Sequence, residues 1–325
     1  CVLWTGDGSS RSITGVGFKP DLIWVKNRSE SYAHALFDSV RGPAARLRPN
    51  GTNVEDPNDT DSIISFDNDG FSFGDDEAVN KSGNNIVAWC WKAGGAAVSN
   101  TDGTITSQVS ANQDAGFSIV KWTSNGNTSV TSMGHGLGKT PKFMIHKRLG
   151  VADNWFVYHS DIQTNNRQYL RLNTDDATIT SPNDFWSTSS STMGIRQSSI
   201  AANGQDCIAY CWAEIEGYSK FGSYEGSGNA DGPFVYCGFK PALLIRKNTA
   251  SLGGWYMVDS SRNPNNAANT FLDAKDSDPD GTGTAVDFLS NGFKLRNGDV
   301  GTNKDGEKVL FMAFAESPFQ TANAK

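Results

Sequence analysis

Carboxylates give the first candidates for chemistry in this sequence. Asp276-Ser277-Asp278-Pro279-Asp280-Gly281 sets acidic residues at positions 1, 3 and 5 of a loop with glycine at 6, and Asp287 falls at position 12. Oxygen ligands at this spacing can wrap a calcium ion, and the glycine permits the sharp turn. The flanks, however, read as strands rather than helices, position 12 is Asp rather than Glu, and Pro279 stiffens the loop. Asp276, Asp278, Asp280 and Asp287 therefore stand as candidate calcium ligands against a solvated acidic loop, and no other cofactor is expected. Glu214-Ile215-Glu216 reads as a strand with both carboxylates on one face, about 7 Å apart. Sandwich-fold glycosidases pair carboxylates in this way, but the position at a strand end favours simple solvation.

The nitrogen and sulfur groups are less suggestive. His34, His135, His146 and His159 show no ligand spacing, and no serine sits in a nucleophile elbow. Gly134-His135-Gly136-Leu137-Gly138-Lys139-Thr140 lacks the first glycine of a phosphate loop, because Met133 stands there. Pro141 and an extended run follow where a helix should begin. Cys90 and Cys211 fall mid-strand, where cysteine behaves as a small hydrophobe. Cys207 and Cys211 are too far apart along a strand for an easy bridge, and a metal reading lacks a second pair of ligands. Reduced thiols, in a protein assembled in a cytoplasm, are the expectation. No catalytic residue is assigned, and the chain is read as a non-enzyme.

The elements that would position these residues are written three times. Gly17-Phe18-Lys19-Pro20 opens the apolar run Leu22-Ile23-Trp24-Val25 and a basic, polar stop at Lys26-Asn27. The pattern returns at Pro141, with Phe143-Met144-Ile145-His146-Lys147, and at Pro241, with Leu243-Leu244-Ile245-Arg246-Lys247-Asn248. A short apolar run opened by a proline turn is a buried strand. Eighteen residues after each proline come Asp38, His159 and Asp259, each after an apolar pair and before serine. Each copy closes on an aromatic strand, Ala88-Trp89-Cys90-Trp91, Ala209-Tyr210-Cys211-Trp212 and Phe311-Met312-Ala313-Phe314.

The fold expected is all-β: three tandem homologous β-sandwiches of jelly-roll or concanavalin-like type. The first occupies 1–95 and is N-terminally incomplete; 96–115 is a linker that can pair as an edge strand. The second occupies 116–217, and the third 218–325 with a polar C-terminal tail. Trp24, Trp89, Trp91, Trp122, Trp155, Trp212, Trp255, Phe288 and Phe293 are the expected core. Ile63-Ile64-Ser65-Phe66 and Phe71-Ser72-Phe73 flank an Asp/Gly turn and predict a hairpin. In 325 residues a net charge of −7 argues against a nucleic-acid groove, and no apolar run is long enough for a membrane helix.

Several runs resemble one family as text. They include Trp89-Cys90-Trp91-Lys92-Ala93-Gly94-Gly95, Gly116-Phe117-Ser118-Ile119-Val120, His135-Gly136-Leu137-Gly138-Lys139-Thr140-Pro141, Asp287-Phe288-Leu289-Ser290-Asn291-Gly292-Phe293 and Ala313-Phe314-Ala315-Glu316-Ser317-Pro318-Phe319. The family is that of tailed-bacteriophage virion proteins, tail-fibre or related structural components, many from phages of marine and cyanobacterial hosts. The resemblance carries no catalytic residue. It implies a virion (tail) location, other tail proteins and further copies of itself (a homotrimer) as partners, and a host-surface glycan or receptor as ligand. Loops 41–62 and 273–285 are the expected places for variable polar contacts. A capsid or tail decoration protein with no ligand, and a polysaccharide depolymerase using Glu214 and Glu216, are the alternatives.

Overall fold

The apolar run after each proline turn becomes a strand, Leu22–Asn27, Phe143–Arg148 and Leu243–Asn248, buried almost throughout. In the computed structural model, which describes residues 1–200, 202–250 and 253–316, each of these strands is the middle of the same five-stranded antiparallel arrangement. In the first repeat the order is Val2–Thr5, Asn85–Trp91, Leu22–Asn27, Ala35–Asp38, Gly42–Leu47. The second repeats it with Phe117–Thr123, Asp206–Trp212, Phe143–Arg148, Phe156–His159 and Gln168–Arg171. The third uses Ser219–Glu225, Lys308–Phe314, Leu243–Asn248, Tyr256–Asp259 and Ala268–Asp273. The protein is all-β, and each large sheet carries a second layer. That layer is Arg11–Thr14, Gly70–Phe73 and Ile63–Asp67 in the first repeat, including the predicted hairpin. Its counterparts are Val130–Gly134, Thr192–Arg196 and Trp186–Thr188, then Phe234–Tyr236, Gly292–Leu295 and Gly281–Leu289.

Successive side chains of a strand point to opposite faces, and here both faces are covered. Ile23 and Val25 turn toward the second layer of their own repeat, joining Phe37, Phe71, Phe73, Ile86 and Ala88. Leu22 and Trp24 turn the other way, into a cluster that draws on all three repeats: Trp89 and Trp91, Phe143 and Trp212, Leu243 and Phe314 among others. The last aromatics of the three repeats meet there, the Trp91 ring lying 5.9 Å from Trp212 and 5.9 Å from Phe314. All nine aromatic residues expected in the core are buried. Six of them, Trp24, Trp89, Trp91, Trp155, Trp212 and Trp255, belong to the shared cluster.

Residues 96–115, expected as a linker that can pair as an edge strand, supply Val98–Asn100 and Ser107–Asn112, which pair in register at the edge of the second repeat's large sheet. Loop 41–62 is in part the strand Gly42–Leu47; beyond it Thr52 and Glu55 bond to Asp153 and Leu149 of the second repeat, while Asn53, Val54, Asn58 and Thr60 are exposed. The expected polar tail from 317 onward lies outside the described residues.

A repeat removed from its neighbours would expose its half of the shared cluster, at about 25 cal/mol per Å² of apolar surface returned to water. A fragment spanning 1–95 is therefore expected to lack cooperative thermal unfolding, whereas the whole chain unfolds in one transition. Trp91→Ala in the whole chain should cost about 3–5 kcal/mol and lower that single transition rather than split it. Calorimetry on the fragment, the chain and the variant reads all three.

Candidate functional site

Polar groups at the seams between repeats account for most of the residues singled out in the sequence. The Lys26, Lys147 and Lys247 side chains stand on the shared-core face of their strands, and all three residues are fully buried. They are not solvated strand ends. Lys26 Nζ donates to Ser277 O of the third repeat at 3.0 Å. Lys147 Nζ donates to Thr52 O of the first at 3.1 Å, and Lys247 Nζ to Asp175 O of the second at 3.2 Å. Desolvation pushes each ammonium down to about 8, against the pull of nearby carboxylates such as Asp276, Asp153 and Asp273.

A second ring of contacts runs in the same direction. His34 Nε2 reaches Asp273 O of the third repeat at 3.1 Å, Trp155 Nε1 reaches Arg48 O of the first at 3.0 Å, and Trp255 Nε1 reaches Arg171 O of the second at 2.8 Å. His34 Nδ1 accepts from Trp24 Nε1 at 2.8 Å, so Nε2 carries the proton that is donated. One edge of each repeat thus grips the same carbonyls of its neighbour, in cyclic order. A head-to-tail contact that returns to its start after three copies is a closed ring with approximate threefold symmetry.

The positions eighteen residues after the prolines form the third ring, and here the chemistry varies. Asp38 accepts from Tyr210 Oη of the second repeat at 2.7 Å and is paired with Arg41 Nε at 2.6 Å. Asp259 accepts from Trp89 Nε1 of the first repeat at 3.2 Å and is paired with Arg262 Nε at 2.6 Å. In the second repeat Ile162 stands where Arg41 and Arg262 stand, and Met312 of the facing strand stands where Tyr210 and Trp89 do. A carboxylate there would be buried with neither cation nor donor. The residue is His159, which is neutral: Nδ1 accepts from Asp161 N at 3.2 Å and Nε2 lies 3.5 Å from Phe311 O. Burial holds its pKa down to about 4.

Of the candidate calcium ligands, Asp276, Asp278 and Asp280 gather around Lys26 of the first repeat, whereas Asp287 pairs with Arg296 within the third. Asp280 bridges Arg28 of the first repeat (2.8 Å) and Arg262 of the third (2.9 Å). Asp276 meets Lys275 at 3.1 Å, Asp287 meets Arg296 at 2.5 Å, and Asp278 is exposed. Among the described residues no group of three or more His, Cys, Asp or Glu is placed to hold a metal ion. Ser277 and Asp280 of loop 273–285, like Thr52 and Glu55 of loop 41–62, fasten neighbouring repeats to one another. Glu214 and Glu216 do not share a strand face: the strand ends at Trp212, Ile215 is buried in a turn, and Glu214 pairs with Lys220 at 2.7 Å. Cys90, Cys207 and Cys237 have thiols pushed up to about 12 by burial, which keeps them protonated and unreactive.

Two open clefts stand out among the described residues. One, of about 570 Å³, lies between the first two repeats and presents Lys19, Lys92, Gln113 and Asp114. The other, of about 490 Å³, lies on the first repeat and is acidic: Asp61, Asp75, Asp76 and Glu77 surround Arg46, with Tyr32 at the rim. Arg46 Nη1 holds Asp76 at 3.1 Å and Asp59 at 3.3 Å. Tyr32 Oη donates to Glu77 Oε2 at 2.5 Å. The Asp61 carboxyl is raised, by partial desolvation first and then by Asp59 and Asp76. Such a cleft can engage hydroxyl-rich ligands through carboxylate oxygens and a tyrosine face. Arg46 and Asp61 fall in the 41–62 segment that the sequence marked for polar contacts, whereas the parts played by Tyr32 and by residues 75–77 had no sequence sign.

The seams predict a pH dependence. The pKa values of His34 and His159 are lower in the folded chain than in the unfolded one, as is that of His146, held down to about 3 by burial. The unfolded chain therefore takes up protons first as pH falls, and stability is lost from about pH 6.5 downward through the folded values, about 4 for His159 and about 3 for His146. His159 alone accounts for up to roughly 3 kcal/mol of this loss. The urea midpoint should fall more between pH 7 and 4.5 in the native chain than in His159→Gln; equal falls would refute the assignment. His159→Asp should destabilise by roughly 3–5 kcal/mol. Adding Ile162→Arg and Met312→Tyr, which rebuild the set around Asp38, should recover most of that loss in the same titration.

A protein-family model described as a domain of unknown function (DUF7483) matches residues 1–318. No curated protein and no solved structure matches the chain.

Proposed function

The chain belongs to the DUF7483 family, and we propose that it is a structural virion protein of a tailed bacteriophage. In this reading it forms the distal part of a tail fibre and holds a host-surface glycan or receptor without catalysis. The observation that carries the reading is the ring of three repeats closed on one core. It is a stiff, three-lobed body suited to the end of a threefold fibre. The textual resemblance to tail proteins supplies the location, in the tail of a virion assembled in the host cytoplasm. The partners are other tail proteins and further copies of the chain. A homotrimer follows from the resemblance; the ring also lets one copy provide three lobes, and light scattering of the purified protein separates the two arrangements. The open clefts offer polar groups to a sugar, with weak single sites strengthened by the number of copies.

Immunogold electron microscopy of intact virions, with antibody against this chain, tests the reading. Label at the tail extremity is expected. Label over the capsid would make it a decoration protein, and no label on any particle would overturn the virion reading. Release of reducing ends from host polysaccharide, abolished by Glu214→Gln or Glu216→Gln, would overturn the non-catalytic part.

A further inference from the structure

The three repeats provide their own control for which surface features the fold requires. In the second layer of the first repeat, Arg11–Thr14 pairs with Gly70–Phe73, setting Ser12 opposite Ser72 and Thr14 opposite Gly70. Ile13, between them, packs against the repeat's own core. In the third repeat Phe234–Tyr236 pairs with Gly292–Leu295 in the same register, setting Phe234 opposite Lys294 and Tyr236 opposite Gly292, with Val235 in the core. Phe234 and Tyr236 therefore replace Ser12 and Thr14 on the outward face. They are 46% and 64% exposed, so the fold carries two aromatic rings in water where small polar residues serve the first repeat. In the second repeat the corresponding edge, Val130–Gly134, is covered by residues 104–105.

Residues two apart on a strand stand about 7 Å apart on one face, and the two rings lean on glycine positions. A β-carbon at Gly292 would come within 3.1 Å of Phe234 Cζ, and one at Gly238 within 3.6 Å of Tyr236 Oη. No side chain at Gly292 or Gly238 holds the rings off the backbone. Paired charges flank them: Lys294 with Asp231 at 2.9 Å, and Arg296 with Asp287.

We infer that Phe234 and Tyr236 form a binding site for a neutral saccharide, stacking against the C–H face of the sugar while Lys294 and Asp231 take its hydroxyls. The opposed charges cancel locally, which suits a polyhydroxylated neutral ligand better than an anion or a cation. Two rings are also far smaller than the roughly 800 Å² per partner of a stable protein interface, which argues against a docking protein. This deepens the surface-glycan reading above and rests on it for the class of ligand.

The test is saturation-transfer NMR of the whole chain with neutral hexasaccharides (malto-, cello-, laminari- and mannohexaose), and of the double variant Phe234→Ser/Tyr236→Thr. That variant installs the first repeat's own residues, so an unchanged melting transition reports that it is folded. Transfer to at least one hexasaccharide is expected for the native chain, and a loss of about tenfold or more in the variant. Absence of transfer to all four, or transfer that survives in the folded variant, would overturn the site. Tail label on virions together with undiminished binding by the variant would sink this site while leaving the adhesin reading in place. Variant-sensitive binding with no label on virions would do the reverse.

Discussion

The structure depends on a sheet that has no solvent face. Antiparallel sheets commonly bury one side and wet the other, but the five-stranded sheet of each repeat buries both, one against its own second layer and one against the other two repeats. Three such sheets satisfy one another only when all are present. The aromatics that end the repeats, Trp91, Trp212 and Phe314, pack together where the three sheets meet. Continuous apolar runs in the strands and near-complete burial of tryptophan follow from that single requirement.

Bringing sheets together also brings polar edges out of water, and the seams meet that cost in two ways. Where geometry is constant the solution is constant: a lysine or a ring nitrogen donates to a backbone carbonyl of the neighbour, three times over. Where the facing residue varies, the solution varies with it. Asp38 and Asp259 have an arginine and a hydroxyl or indole donor to complete the set; His159 stands where Ile162 and Met312 offer neither. A buried charge is tolerated with its full set of partners and replaced without it.

What the seams consume is not available for function. Asp280, one of the carboxylates most suggestive of metal chemistry, neutralises arginines from two repeats, and Thr52 and Ser277, in the loops most suggestive of ligand contact, hold neighbours. The residues left over are those that one repeat has and another lacks at the same place. Phe234 and Tyr236 are the clearest of these, since Ser12 and Thr14 show that the sheet is built without them.

By itself, the sequence determined the β class and the aromatic core, and it showed one strand pattern recurring three times, because strand periodicity, turn residues and recurring spacing are local properties. It also displayed Lys26, Lys147 and Lys247 at one position of the pattern, a signal that reads equally as three solvated strand ends. Only the tertiary structure decided that they are buried, that Thr52, Ser277 and Asp280 fasten neighbouring repeats, and that Asp280 is taken up by two arginines while Asp287 is taken up by Arg296. Most of those facts concern a partner tens to hundreds of residues away, as Lys26 with Ser277 or Asp38 with Tyr210. Spacing along a chain states which groups can be neighbours within a repeat. Ring closure, set by how three two-sided sheets hide their second faces, states which groups meet between repeats.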